Sequence, residues 1–248
     1  MYSKSRSYKT MSKKKSNILF FQSSDDQSVY RDMLEITYSI NKKYTEKYGY
    51  NIQKYCGVKR GPAPWYATFN RHYLIPELIE SDKFDWIVYM DADAFVFDHS
   101  IDFESFIHPY DDKALIVSRG GSDTVPWDFN AGVLIINARH PKSLEVFANC
   151  RNSFSAIPMQ TLDKYKQPWS LPGIDDQNLM HNEVRKDVQN GKIDYLKIFI
   201  GDEANMINYS NGRYIRQIIR PDIYNLNLEE RLRIIKETAD KIIRTFYS

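Results

Sequence analysis

Asp91 and Asp93 stand one residue apart directly behind residues 84–90 (FDWIVYM), a nearly unbroken apolar run. A strand that ends in Asp-x-Asp brings both carboxylates to the point where the chain turns, and hard cations such as Mg2+ and Mn2+ take such oxygen ligands. The usual use of a cation held this way is to bridge phosphate oxygens and take up charge as a diphosphate departs. A bare Asp-x-Asp arises often by chance and also serves as a turn cap in solvent. Its position at the end of a buried strand is what marks it as a site.

The same string has a second chemistry. Haloacid-dehalogenase-type phosphatases also place Asp-x-Asp after a strand, with the first Asp as nucleophile, and Ser118 and Gly201-Asp202 offer further parts of such a site. Two features count against it. That motif normally opens its domain, whereas residues 17–90 precede Asp91. The position two beyond the second Asp, usually Thr or Val there, is Phe95.

The elements that must position the pair follow from pattern. Residues 17–22 (NILFFQ) predict a first strand, with turn and cap residues at 23–26. Met33, Ile36, Tyr38 and Ile40 predict a helix over 29–47. A second strand is expected at 50–55, a Gly/Pro loop at 57–64 and a helix at 65–81. The third strand, 84–90, is nearly continuously apolar, as strands buried on both faces are. Strand, helix, strand, helix, strand implies βαβ units and an α/β fold with a mostly parallel central sheet flanked by helices. Ligands in such sheets bind beyond the carboxyl ends of the strands, where Asp91 and Asp93 lie. Further strands are expected at 114–118, 132–137 and 195–200, and helices at 141–151 and 175–188, with 152–173 irregular. Leu228, Leu232, Ile235, Ala239, Ile242 and Phe246 predict an amphipathic C-terminal helix over 227–247 that docks on the domain.

Of the 248 residues, 42% are hydrophobic, enough for a substantial core, and 17–248 read as one domain. The net charge of +2 is unevenly spread: Lys4, Arg6, Lys9, Lys13, Lys14 and Lys15 precede the first acid, and setting those six aside leaves 28 basic against 32 acidic residues, a net of −4. The body is therefore no general polyanion binder, and no nucleic-acid partner is expected. Residues 1–16 read as a disordered basic tail whose reach is a weak peripheral contact with an anionic membrane. Cys56 and Cys150 provide neither a disulfide framework nor a zinc site. The apolar run 18–21 is too short for a signal peptide or a membrane span, so a soluble, cytoplasmic protein is expected.

Three strings in this order, DWIVYMDADAFVFD, FNAGVLIIN and IDDQNLM, resemble a known family. It is the galactosyl- and xylosyltransferase family that includes fungal mannan galactosyltransferases and plant xyloglucan xylosyltransferases. The resemblance spans roughly residues 17–220. It implies a GT-A fold and a metal-dependent, retaining transfer of a hexose or pentose from a nucleotide-sugar donor, a UDP-sugar being favoured, to a glycan or other hydroxyl acceptor. By the same resemblance Asp91 and Asp93 bind Mn2+ or Mg2+. Asn130, Ala131 and Gly132 match the family's Asn-Thr-Gly turn at the floor of the sugar pocket, with Ala for Thr. Asp175, Asp176 and Gln177 match its Asp-Asp-Gln facing sugar and acceptor. The family takes a third metal ligand from a C-terminal His, and here Gln217 stands in its place. An amide oxygen suits a hard ion but is a poorer Mn2+ ligand than imidazole. That departure leaves open a non-catalytic nucleotide-sugar-binding protein of the same fold.

Among the remaining candidates, one of Asp175 and Asp176 is expected to cap the helix they open, with Asp176 and Gln177 favoured for the sugar. Arg71 and Arg60 suit phosphate contacts. Trp127 and Trp169 offer sugar stacking or loop anchoring. His72, His99, His108, His140 and His181 lack metal-ligand spacing and read as structural.

Overall fold

The computed structural model describes residues 15–122, 124–167, 170–218 and 227–248. Its first strand, β1 (Ile18–Ser24), is buried along its whole length. Ser28 caps α1 (Val29–Tyr48), which ends on Gly49 at φ 71°, a left-handed position that Gly adopts without a Cβ penalty. The chain returns as β2 (Asn51–Cys56), parallel to β1. The single helix expected over 65–81 is two elements: a 3-10 helix, Pro64–Asn70, and α2 (Arg71–Glu80). Three residues per turn align Tyr66 with Phe69, and both pack on Phe154 and Leu162. β3 (Trp86–Asp91) then pairs with the other side of β1, also in parallel.

After β3 come β4 (Ala94–Val96), α3 (Phe103–Ile107), β5 (Leu115–Arg119) and β6 (Phe129–Asn137). β6 starts at Phe129, so Asn130 and Ala131 lie in a strand and not in the turn expected of them. α4 (Pro141–Ser155) and α5 (Met159–Leu162) extend into the stretch read as irregular. α6 (Asp176–Gln189), β7 (Leu196–Phe199), β8 (Ile207–Tyr209), β9 (Ile215–Gln217) and α7 (Leu228–Tyr247) complete the chain. β4, β8 and β9 are three residues each, too short to show an alternation in sequence.

The main sheet has the order β2-β1-β3-β6-β5-β7, in which β6 alone runs against its neighbours. A small sheet, β4-β9-β8, stands beside it. Alternate residues of β1 feed two cores. Ile18 and Phe20 pack with Tyr44, Phe103 and Tyr214, while Leu19 and Phe21 pack toward α2, α4 and α6. α7 closes a third core through Ile235, Ala239 and Ile242 on Met33, Ile40 and Phe95. Its buried face includes Arg231, whereas Leu228, expected on the apolar stripe, is 38% exposed. Of the expected basic tail, residues 1–14 lie outside the described residues. Ser16 is placed, its N–H donating to Glu104 (2.9 Å). No helix among the described residues is long and apolar enough to cross a membrane.

Candidate active site

β1 leads on one side to β2 and is flanked on the other by β3, so the crevice between the carboxyl ends of β1 and β3 is a topological switch point. A cavity of about 490 Å3 opens there, lined by Ser23, Ser24 and Asp25 from β1 and its exit, and by Asp91, Ala92 and Asp93. Asn130–Gly132, Asp175–Gln177, Arg71, Gln217 and Arg231 line it as well. The strands place these groups from segments distant in sequence, and this is the size expected of a small-ligand site.

A fully buried polar network fixes the Asp91–Ala94 turn from behind. Gln22 Nε2 donates to the carbonyls of Asp91 (3.2 Å) and Ala94 (3.1 Å). Thr37 Oγ1 donates to Ala92 O (2.8 Å), and Asn41 links Gln22 Oε1 (2.9 Å) to the Val96 N–H (2.8 Å). Buried polar groups are tolerated only when paired, and here they hold the backbone that carries both carboxylates.

The carboxylates face an array of charges. Arg71 Nη2 meets Asp91 Oδ1 at 2.7 Å and Asp176 Oδ2 at 3.1 Å, while Nη1 donates to Ala131 O and Nε to Thr68 O (3.2 Å). Arg231 forms an ion pair with Asp93. Gln217 Nε2 donates to Asp91 Oδ2 (3.1 Å) and Asp93 Oδ1 (3.0 Å). Gly132 makes room for that amide, because a Cβ at this position would collide with it. Burial holds Asp91, Asp93 and Asp176 above the ordinary carboxylate range. Arg71 opposes the rise at Asp91 and Asp176, Arg231 opposes it at Asp93, and Asp91 reaches about 7. His72, whose Nε2 lies 2.9 Å from Asp176 O, is pushed down to about 3 by burial and by Arg71, and so is neutral.

Asp175 is the N-cap of α6, accepting from Asn178 N–H (2.6 Å), and Asp176 is the buried partner of Arg71. One of the two acids thus caps the helix, as the sequence suggested. Gln177 Oε1 accepts from Ala131 N–H (2.9 Å), which orients its amide at the cavity wall. Asn130 Oδ1 accepts from Gly132 N–H (2.9 Å), and Asn208, at φ 68°, holds Asn130 O (3.0 Å). Arg71 reaches the cavity as expected, but its guanidinium is directed to Asp91, Asp176 and two carbonyls. Arg60 donates instead to the carbonyls of Ser155 (3.2 Å) and Ile157. Trp127 carries Arg185 over its ring (5.1 Å), is absent from the cavity lining and anchors its loop. Trp169 lies outside the described residues, and Trp65 lines the cavity in a way the sequence did not suggest. His72 and His99 are buried, and His140 caps α4.

Arg231, Gln22, Thr37, Asn41 and Asn208 were not anticipated. Arg231 had a signal: it sits four residues before Ile235, on the apolar face of the last helix. A charge in that register is out of place unless something buried meets it.

The donor set fits a hard divalent ion. Two carboxylates and one carboxamide converge, and Gln217 Oε1 is buried without a hydrogen-bond partner. Turning the amide over exchanges Nε2 for Oε1 and sets an oxygen between the two carboxylates, an arrangement that a bound cation would stabilise. Among the described residues no group of three or more His, Cys, Asp or Glu side chains forms a metal site, so the amide is the third protein donor available.

No family model matches the chain, and no curated protein matches it. Solved structures do. A glycosyltransferase involved in glycosylation of the major capsid of PBCV-1 superposes with a TM-score of 0.61 at 14% identity, over 89% of this chain and 99% of that one. The apo form of the glycosyltransferase GlyE from Streptococcus pneumoniae TIGR4 gives 0.53 at 14% identity, over 94% of this chain and 63% of that one. The chain has the mixed α/β architecture of these enzymes, the GT-A fold.

Proposed function

We propose that this protein transfers a sugar from a nucleoside-diphosphate donor to a hydroxyl acceptor, with the anomeric configuration retained. The observation that carries this reading is the convergence on one cavity, at the switch point of a GT-A sheet, of Asp91, Asp93, Gln217, Asn130–Gly132, Asp176 and Gln177. A UDP-linked hexose or pentose and a glycan acceptor follow from the sequence resemblance. The phosphatase alternative is disfavoured because Asp91 ends the third strand of the sheet and not its first.

Asp91, Asp93 and Gln217 would hold Mn2+ or Mg2+. When bound, such an ion supplies positive charge to the diphosphate oxygens. Arg71 positions: one guanidinium fixes Asp91, Asp176 and the Ala131 carbonyl, so metal-binding and sugar-facing groups share a common brace. Asp176 orders sugar hydroxyls. Gln177 is neither acid nor base. Its amide dipole stabilises the oxocarbenium-like state without being trapped as an ester. The acceptor oxygen bonds to the anomeric carbon as the carbon–phosphate-oxygen bond breaks on the same face, and the hydroxyl proton passes to the departing phosphate oxygen.

The test is consumption of UDP- and GDP-sugars by the purified protein with Mn2+. Release of nucleoside diphosphate supports the reading. Donor binding without any turnover would point instead to the non-catalytic binder.

A further inference from the structure

We propose that His181 is a positioning residue for the sugar transfer: by completing an open edge of β6 it holds the Ala131 N–H on the Gln177 amide. Its effect on the rate rests on the donor reading above; its effect on the strand edge does not.

β3 and β6 pair from Trp86 opposite Asn137 to Met90 opposite Val133, and β3 then ends at Asp91. β6 has already run from Phe129. Its overhang, 129–132, keeps β5 on one side, where Arg119 pairs with Phe129 and Ser118 with Asn130. On the other side no strand among the described residues continues β3. Backbone groups at such an edge need partners. Side chains supply them. Gln177 Oε1 accepts from the Ala131 N–H (2.9 Å), Arg71 Nη1 donates to Ala131 O, and His181 Nε2 lies 2.7 Å from Phe129 O. A carbonyl only accepts, so that nitrogen carries a proton and donates. The Phe129 N–H stands farther from the same nitrogen, at 3.3 Å, and is the lesser contact.

The spacings match. Gln177 and His181 are one turn apart on α6, a rise of about 6 Å. Ala131 and Phe129 are two residues apart on a strand, about 6.8 Å. The N-terminal half of α6 therefore stands where a further strand would, with its side chains in place of a backbone ladder. The His181 ring also meets the Phe129 ring edge-on, centroids 4.8 Å apart. His181 is absent from the cavity lining, so it acts through β6 and Gln177 and not on the donor. The helix has other anchors. Met180 and Val184 are buried in the core, and Asp176 is held by Arg71 (3.1 Å) and by His72 at its carbonyl (2.9 Å). Loss of His181 thus frees the strand end and leaves the helix docked.

Amide hydrogen exchange read at Ala131 by NMR, together with steady-state donor consumption, tests this on wild type, His181→Ala, His181→Phe and His181→Gln. His181→Ala and His181→Phe should speed Ala131 exchange about tenfold and lower kcat about tenfold, with KM nearly unchanged. His181→Phe keeps a ring against Phe129 and lacks only the donor, which separates the hydrogen bond from packing, and it decides should His181→Ala fail to fold. His181→Gln, whose amide nitrogen can donate to the same carbonyl, should return both readouts to within about threefold of wild type. Added to Gln177→Ala, His181→Ala should cost no further rate, because its effect runs through that amide. Unchanged Ala131 exchange in the folded variants, no recovery in His181→Gln, or a rate loss that adds to that of Gln177→Ala overturns the proposal. If wild type consumes no donor, the donor reading fails, and the exchange measurement alone decides the role of His181.

Discussion

Arg71 and Asp91 meet at 2.7 Å, a guanidinium 4% exposed against a carboxylate 27% exposed, so the pair is closed toward the core and open toward the cavity. Burial outweighs this partner, and Asp91 keeps its proton up to about pH 7. A carboxyl whose folded pKa is raised contributes stability that is complete below its ordinary range and is lost as pH rises through the raised value. Asp91→Asn removes that loss. In EDTA its thermal midpoint should exceed that of wild type most at pH 8, with the difference shrinking toward pH 5. The same variant, and Asp93→Asn, should lose the gain in UDP affinity that Mn2+ brings. A midpoint below wild type at pH 8, with the deficit growing as pH rises, would contradict the assignment.

Gln22 fixes the carbonyls on both sides of the Asp91–Asp93 turn from inside the sheet. Gln22→Leu keeps the bulk and leaves those carbonyls and Asn41 without their partner. Each unsatisfied buried group costs about 1–3 kcal/mol, so a loss of roughly 3 kcal/mol in urea unfolding is expected. UDP affinity should fall with it. A loss under about 1 kcal/mol would show that the network does not brace the site.

The buried strands were legible because continuous apolar runs such as those of β1, β3 and β6 have few other uses, and the Asp-x-Asp lies where the third run ends. That one of Asp175 and Asp176 caps α6 was also legible, since an acid just ahead of a helix favours the N-cap. What the sequence concealed is polar and distant. Gln22, Thr37 and Asn41 look like interruptions of apolar patterns until the turn they hold is in view. Gln217 was named by the resemblance, but the pairing of β9 with β4 that sets it opposite Ala94 joins two strands too short to leave a pattern. The antiparallel entry of β6 depends on a path between β5 and β6 that no local propensity records.

Gly132 faces the Gln217 amide with no space for a methyl group. Gly132→Ala should displace that amide from Asp91 and Asp93 and weaken Mn2+ binding about tenfold, measured by calorimetry with UDP present. Unchanged affinity in a folded variant would remove Gln217 from the metal donors.

Gln177 is oriented by the Ala131 N–H and stands beside Asp176 at the cavity wall. Gln177→Ala should lower kcat while donor affinity stays nearly unchanged, the pattern of an interaction made mainly in the transition state. Asp176→Asn should cost more, because it removes a charge that orders the sugar and balances Arg71. Steady-state kinetics on a consumed donor measures both. Wild-type rates in the two variants would place the chemistry elsewhere.

The central claim is that this cavity cleaves a nucleotide-sugar with retention, and time-resolved proton NMR of wild type with UDP-sugars and Mn2+ tests it most directly. The account predicts a first-formed sugar product with the donor's anomeric configuration, absent from Asp176→Asn. An inverted first product, or no donor consumed by folded wild type across the UDP- and GDP-sugars, would contradict it.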